Sequence, residues 1–406
     1  MGIDRRGGHL VGEQAVVAAI PDFNHLDPDI ANNPYPDLAT LRASCPVAHS
    51  TAHGGHYVVT GYDAMRAAAM DGKTFSTNVD GIGAAAMVAE IDGVVAPLFE
   101  ADGDPHFAWR HLLQPYFKRA AAAEHADYLR RLCRETIAEF TGEGRADLVT
   151  AYTQRVPPML IGAMLGLSES EQVTLSEHVR ALTNLGTADA ARSFADLMVG
   201  HVRDRMNHHR GDMLSDVAHA RVDGDRPTEE EVLKFAIVMV AAGNLTSTDA
   251  CATILLQLLG DHGLRDRCVV NPATLSAVIE EAVRHEPAVA ATGRAVTTET
   301  ELAGVALHPG DRVLLVWGAA NRDPDHFDDG DVYRLDRLRG GSAHLGWGAG
   351  AHRCLGRHVA RLELRIMLEE LLTAIPDVRL QAGPRPTRSY GVIRGVPKLL
   401  AEWGPA

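Results

Sequence analysis

Helical spacing dominates the hydrophobic pattern of this chain. From Asp104 to about Leu259 apolar residues recur at intervals of three and four, the signature of amphipathic helices. Thr228 followed by Glu231, just after Pro227, has the form of a capping box, a helix start in which side chains satisfy the free amides. The helix it opens is expected over 232–258. That segment is nearly apolar throughout, so it should cross the centre of the fold. A closing helix is expected over 355–375, with Leu355, Val359, Leu362 and Ile366 on one stripe. Arg357, Arg361 and Arg365 form its other face, which by pattern alone is a solvated surface. Short strands are expected over 56–60, 293–296, 305–307, 312–317, 378–380 and 397–401. No Ser/Gly-rich or Pro-rich linker and no internal repeat divides the chain. The pattern reads as mainly α with small peripheral β-sheets.

Composition narrows the classes. At 406 residues the chain exceeds the usual single core, so length alone suggests two or three domains. Thirty-nine basic against 53 acidic residues give a net charge of −14, which argues against a general nucleic-acid binder. The five cysteines are scattered and form no Cys-x-x-Cys pair; a disulfide framework is not expected, and a reducing cytoplasm fits. Residues 1–20 mix charges with glycines and have no apolar core for a signal or anchor. The longest apolar run, Phe235 to Gly243, is too short to span a bilayer. No membrane association is expected.

The candidate chemistry centres on Trp347-Gly348-Ala349-Gly350-Ala351-His352-Arg353-Cys354-Leu355-Gly356. Glycines allow a backbone to approach a flat group closely, and a helix start behind the cysteine favours thiolate over thiol. Three other readings compete. Gly346-x-Gly348-x-x-Ala351 matches a dinucleotide fingerprint, yet no apolar strand precedes it. Cys354 and His352 could be half a zinc site, without a second pair at suitable spacing. The bland reading is a structural cysteine at a helix start.

The run resembles the cysteine loop of the cytochrome P-450 family, and further landmarks follow in the family's order over about residues 25–400. Glu281-x-x-Arg284, then Asn321-Arg322-Asp323-Pro324 with Phe327, resemble the pair and meander that lock the core beneath that loop. Ala241-Ala242-Gly243-Asn244-Leu245-Thr246-Ser247 aligns with the oxygen-activation stretch. The resemblance implies a single large domain over 25–406 behind a tail of residues 1–24. It implies haem b bound to iron through Cys354, O2 as co-substrate, and electrons from NAD(P)H through a ferredoxin reductase and a ferredoxin. On it, His106, Arg110, Arg294 and His352 would clamp the propionates, with Ala242, Gly243, Trp347, Gly348 and Gly356 also against the haem. An indole at 347, in place of the usual phenylalanine, would bring an N–H close to the sulfur.

The resemblance also implies a monooxygenase acting on a largely apolar small molecule, by hydroxylation or epoxidation, in bacterial secondary metabolism or catabolism. Thr246 would steer protonation. Leu245 stands where the family carries an acid, so protons would have to come by way of Thr246, Asn244, Ser247, water or the substrate. That departure leaves open a peroxide-driven, ring-forming, coupling or rearranging enzyme, or a non-catalytic haem or ligand binder. Packing is the alternative account of Leu245. Pocket positions carried over are Ile82, Met87, Val238, Ala241, Ala242, Val289, Thr292, Val392 and Ile393. The Arg357, Arg361 and Arg365 face would receive an acidic electron donor.

Overall fold

A computed structural model describes residues 23–77, 98–185, 187–222, 224–337, 344–389, 391 and 393–404. The expected tail falls largely outside them. The chain is already packed at Phe23, which is buried with Leu38, Leu41, Val58 and Leu314.

The axis of the fold is the helix Glu229–Gly260, 32 residues long, or about 48 Å at 1.5 Å per residue. It starts where the capping box lies. Glu231 N–H donates to Thr228 Oγ1 at 3.2 Å, and Thr228 N–H donates to Glu231 Oε2 at 2.8 Å. It is long and apolar enough to cross a membrane, but here helices take up its sides: Val156–Met164, Ala188–Asn207, Leu275–His285 and Arg357–Ala374. The last of these is the closing helix. It begins at Arg357, two residues later than its pattern suggested, with Leu355 and Gly356 in a turn before it.

The strands are β1 (Val47–Ser50), β2 (His56–Val59), β3 (Phe75–Ser76), β4 (Arg145–Asp147), β5 (Ala291–Val296), β6 (Thr300–Leu302), β7 (Val305–Leu307), β8 (Arg312–Val316), β9 (Arg379–Leu380) and β10 (Leu400–Glu402). They form a five-stranded sheet in the order β1-β2-β8-β5-β3, a three-stranded sheet β4-β10-β9 and the hairpin β6-β7. Only β2 and β8 run parallel within the large sheet. β4 was not expected: its exposed and half-buried Arg-Ala-Asp lacks the apolar alternation that marks a strand. Pairing with β10 creates it.

One buried ion pair positions the loops around the site. Glu281 and Arg284 are fully buried and joined by two hydrogen bonds of 2.8 Å. The remaining Arg284 donors reach the carbonyls of Asn321 (2.7 Å), Gly330 (2.8 Å) and Val332 (3.3 Å), and its guanidinium lies over the Phe327 ring. Arg322 lies outside this network, contrary to its expected place. It donates to the His285 carbonyl, pairs with Asp331 at 3.0 Å and sits over the Tyr35 ring. Arg337 approaches Glu281 instead, at 3.5 Å. Sequence order could not separate these two arginines, since both follow the pair within one irregular stretch. Arg284→Met strands a buried carboxylate, and about 3–5 kcal/mol of stability should be lost. Urea unfolding of the variant checks this; a loss below about 1 kcal/mol would show the pair to be idle.

Candidate active site

The cysteine loop is built by close backbone approach. Gly348 and Gly350 have φ of +73° and +66°, a region that costs other residues strain. A Cβ on Gly350 would stand 2.2 Å from the Ala69 carbonyl oxygen, and one on Gly346 would stand 2.2 Å from that of Val283. The loop closes through Cys354 N–H to Trp347 O and Gly348 N–H to Leu345 O, both 2.8 Å. Asn321 Oδ1 accepts from Leu345 N–H at 2.7 Å, which links the loop to the Arg284 network.

Burial pushes the Cys354 thiol up, while the Gly356 and Arg357 amides and the Arg357 and Arg110 guanidiniums pull it down. Burial wins. The helix start thus pulls toward thiolate, as expected, against the opposing effect of burial, and a cation sharing the sulfur's charge would tip the balance to the anion.

Cys354 lines a cavity partly open to solvent, with about 1640 Å³ of atom-free space including that opening. The central helix contributes Met239, Ala242, Gly243, Thr246, Ser247 and Ala250 to the lining, the i, i+3, i+4, i+7 face of one helix. Val238 and Ala241 are not in the lining, because each sits one residue off that face. Asn244 is also turned away, buried where it accepts from Thr248 Oγ1 at 3.3 Å. Leu245 does not line the cavity either. Thr246 Oγ1 faces it and donates to Ala242 O at 2.7 Å. Val289 and Thr292 line it; Ile393, bridged to Val289, does not. Ile82, Met87 and Val392 lie outside the described residues.

The cations converge. Arg294 and Thr292 sit two apart on β5, hence on one face of the strand, and both reach the cavity with Arg110 and His352. Arg294 is only 4% exposed, and burial lowers its guanidinium to about 10. Its NH1 donates to Gly293 O at 2.7 Å, and no carboxylate among the described residues is within ion-pair distance of it. A buried cation without a counter-charge is costly, so this position asks for an anion. His106 is fully buried with both ring nitrogens lacking hydrogen-bond partners. Burial, then His352 and Arg110, lower it to about 4. Its ring packs 4.2 Å from that of His352. Two guanidiniums, two imidazoles, a thiol and a glycine-built wall suit an iron porphyrin carrying two propionates.

Several members of the site escaped sequence reasoning. Asp102 accepts from Ser76 Oγ (2.5 Å), Thr77 N–H (2.8 Å) and His352 Nε2 (3.0 Å), and so fixes the His352 ring. A lone aspartate in a loop gave no signal of this. Glu363 did give one, as a charge between Val359 and Ile366 on the apolar stripe of the closing helix. It is 2% exposed, lines the cavity and accepts from Ser247 Oγ at 2.6 Å. The Trp347 indole does not serve the sulfur as expected: its N–H points to Glu280 Oε2 at 3.4 Å. Arg361 chelates the same carboxylate at 2.5 and 2.8 Å and lies 4.8 Å over the indole ring. The arginine face of the closing helix is thus partly committed to the fold.

Residues 177–375 match the family described as cytochrome P-450. The chain is 30% identical over 408 residues to the methyl-branched lipid omega-hydroxylase of Mycobacterium bovis, covering 94% of this chain and 93% of that one. It is 29% identical over 411 residues to the cytochrome P-450 monooxygenase PikC of Streptomyces venezuelae, covering 96% of each. The crystal structure of the Tepidiphilus thermophilus P-450 haem domain superposes with a TM-score of 0.85 at 26% identity, over 95% of this chain and 97% of that one.

Burial raises the Glu363 carboxyl to about 8, against the Ser247 hydrogen bond that lowers it. The folded chain therefore keeps a proton that the unfolded chain releases above about pH 4.5, and the stability this brings is lost as pH rises through about 8. Glu363→Gln removes the titration. The stability of the variant relative to the parent should rise steadily from about pH 5 to about 8 and level off beyond. Thermal melts across that range check it; a pH-independent difference would overturn it.

Proposed function

The chain belongs to the cytochrome P-450 family as a monooxygenase of bacterial type, and from that premise we propose that it inserts one atom of O2 into a largely apolar small molecule, by hydroxylation or epoxidation. Membership implies haem-thiolate iron and O2, and relatives act in bacterial secondary metabolism or catabolism. The observation that carries the reading is a half-buried cysteine and an inward-facing Thr246 on one mostly apolar cavity. Cys354 would hold the iron, and Arg110, Arg294 and His352 the propionates, with His106 behind His352. Haem bound there supplies the activation of O2.

The rest falls to the protein's own groups. Ala242 and Gly243 keep the central helix slim where the cavity meets it. Apolar walls from Ile161, Met164 and Val289 exclude water and hold a substrate by shape. The Thr292 hydroxyl, buried without a partner, offers one polar anchor for a carbonyl or hydroxyl of that substrate. Thr246 Oγ1 holds a hydrogen toward Ala242 O and can turn it into the cavity. Electrons would come from NAD(P)H through a reductase and a ferredoxin. An acidic ferredoxin would meet Arg353, Arg357 and Arg365 on the side of the closing helix that carries the cysteine. Five free cysteines fit the cytoplasm as the compartment.

The reduced protein should give a carbonyl complex with the red-shifted absorbance that an anionic sulfur ligand produces, and Cys354→Ala should abolish it. An unshifted band in the parent, with denaturation excluded, would refute the assignment. Arg294→Gln should retain the fold yet lose haem several-fold faster to an apo-globin acceptor. Equal loss rates would remove Arg294 from the cofactor's anion site.

A further inference from the structure

The indole of Trp347 has a single hydrogen to donate, and two acceptors compete for it. One is the Cys354 sulfur. The Trp347 carbonyl accepts the Cys354 N–H at 2.8 Å, and both residues line the same cavity. The sulfur already draws on the Gly356 and Arg357 amides. The other acceptor is Glu280, which stands outside the cysteine loop on the helix Leu275–His285. It takes the indole N–H on Oε2 at 3.4 Å. Glu280 is anchored without help from the indole. Arg361 Nε and NH2 donate to its two oxygens at 2.5 and 2.8 Å, and His344 Nε2 lies 3.3 Å from Oε2. Burial alone would push this carboxyl up, but Arg361 and His344 hold it down at about 2. It is therefore an anion at any working pH. The Arg361 guanidinium also lies 4.8 Å over the indole ring, an attraction that favours one orientation of the ring.

We propose that Glu280 is a positioning residue for the iron ligand: with Arg361 it holds the Trp347 N–H away from the Cys354 sulfur, and so keeps that sulfur a strong electron donor. A hydrogen bond to a metal-bound thiolate draws charge off the sulfur, raises the reduction potential of the metal and weakens the push on a group bound opposite. The sulfur keeps its two amide bonds and is spared a third from a side chain. Arg361 contributes twice, as the partner that fixes Glu280 and as the cation that covers the ring. The proposal rests on the thiolate reading above, which the red-shifted carbonyl absorbance tests separately.

The experiment uses the holoprotein and two readouts, the haem reduction potential from a spectroelectrochemical titration and the C–O stretch of the reduced carbonyl complex. Glu280→Leu removes the acceptor and frees the indole to turn to the sulfur. Its one-electron reduction should become about tenfold more favourable, or about 59 mV more positive. The C–O stretch should rise, because the iron receives less charge from the sulfur. Trp347→Phe has no N–H to redirect. That hydrogen does not reach the sulfur in the parent, so Trp347→Phe alone should move the reduction equilibrium less than about threefold, and adding Glu280→Leu to it should again move it less than about threefold. A carboxylate that acted only by its charge, or only as a fold contact, would shift the potential equally with and without the indole. Equal shifts in the two backgrounds, or an unmoved potential in Glu280→Leu, would overturn the proposal. So would Trp347→Phe by itself making reduction about tenfold harder, since the N–H would then already serve the sulfur. This last arm needs no change at Glu280 and holds even where Glu280→Leu fails to fold. A parent without the red-shifted carbonyl absorbance would overturn the family reading instead.

Discussion

The loop that presents Cys354 hangs from one guanidinium with no solvent exposure. Arg284 neutralises Glu281 and spends its other donors on carbonyls of the 321–332 meander. Asn321, held there by its carbonyl, uses its side-chain oxygen to grip Leu345, and the Leu345 carbonyl in turn holds Gly348. Three hydrogen bonds thus run from a buried ion pair to the loop that presents Cys354. A buried pair adds little net stability over an apolar substitute. Its value lies in geometry: two separated carbonyl-rich loops have a single arrangement that satisfies all the donors of one planar group.

The charge distribution around the cavity follows the same logic of desolvation. Arg294, Arg110 and His352 sit at the end served by β5 and the cysteine loop, and Arg294 has no carboxylate of its own. Asp102 is near enough to influence it but commits its oxygens to Ser76, Thr77 and His352. The protein therefore carries a deficit of negative charge at one end of the cavity and a reluctant thiol beside it. A dianionic porphyrin edge and a metal cation would correct both at once, and cofactor and fold would then stabilise each other. Elsewhere the walls are apolar, and the polar groups exposed to the cavity are hydroxyls and a carboxyl that burial favours as neutral.

Much of this could be read before the fold was known. The capping box at Thr228, the apolar helix behind it and the cysteine loop are local patterns. Local rules govern them, so the expected bounds lie within three residues of those found. The pocket was less legible for a geometric reason: neighbouring helical residues point about 100° apart. Placing Val238 and Ala241 in the lining, where Met239 and Ala242 stand, needed only a one-residue error in phase. Partner choice was least legible. The Trp347 indole was expected close to the sulfur, and only the fold brings Glu280 to it. The same holds for Arg322 and Arg337, whose separation in sequence says nothing of which meets Glu281.

An aspartate at 245 would be a charge on a helix surrounded by other helices, and keeping it ready to move protons requires water or cations nearby. The chain has a half-buried leucine there. A carboxyl stands on the closing helix, where the pattern of Leu355, Val359, Leu362 and Ile366 calls for an apolar residue. A carboxyl at such a position is tolerated because it stays protonated and because Ser247 meets it. Burial that would penalise a carboxylate keeps the Glu363 carboxyl neutral instead.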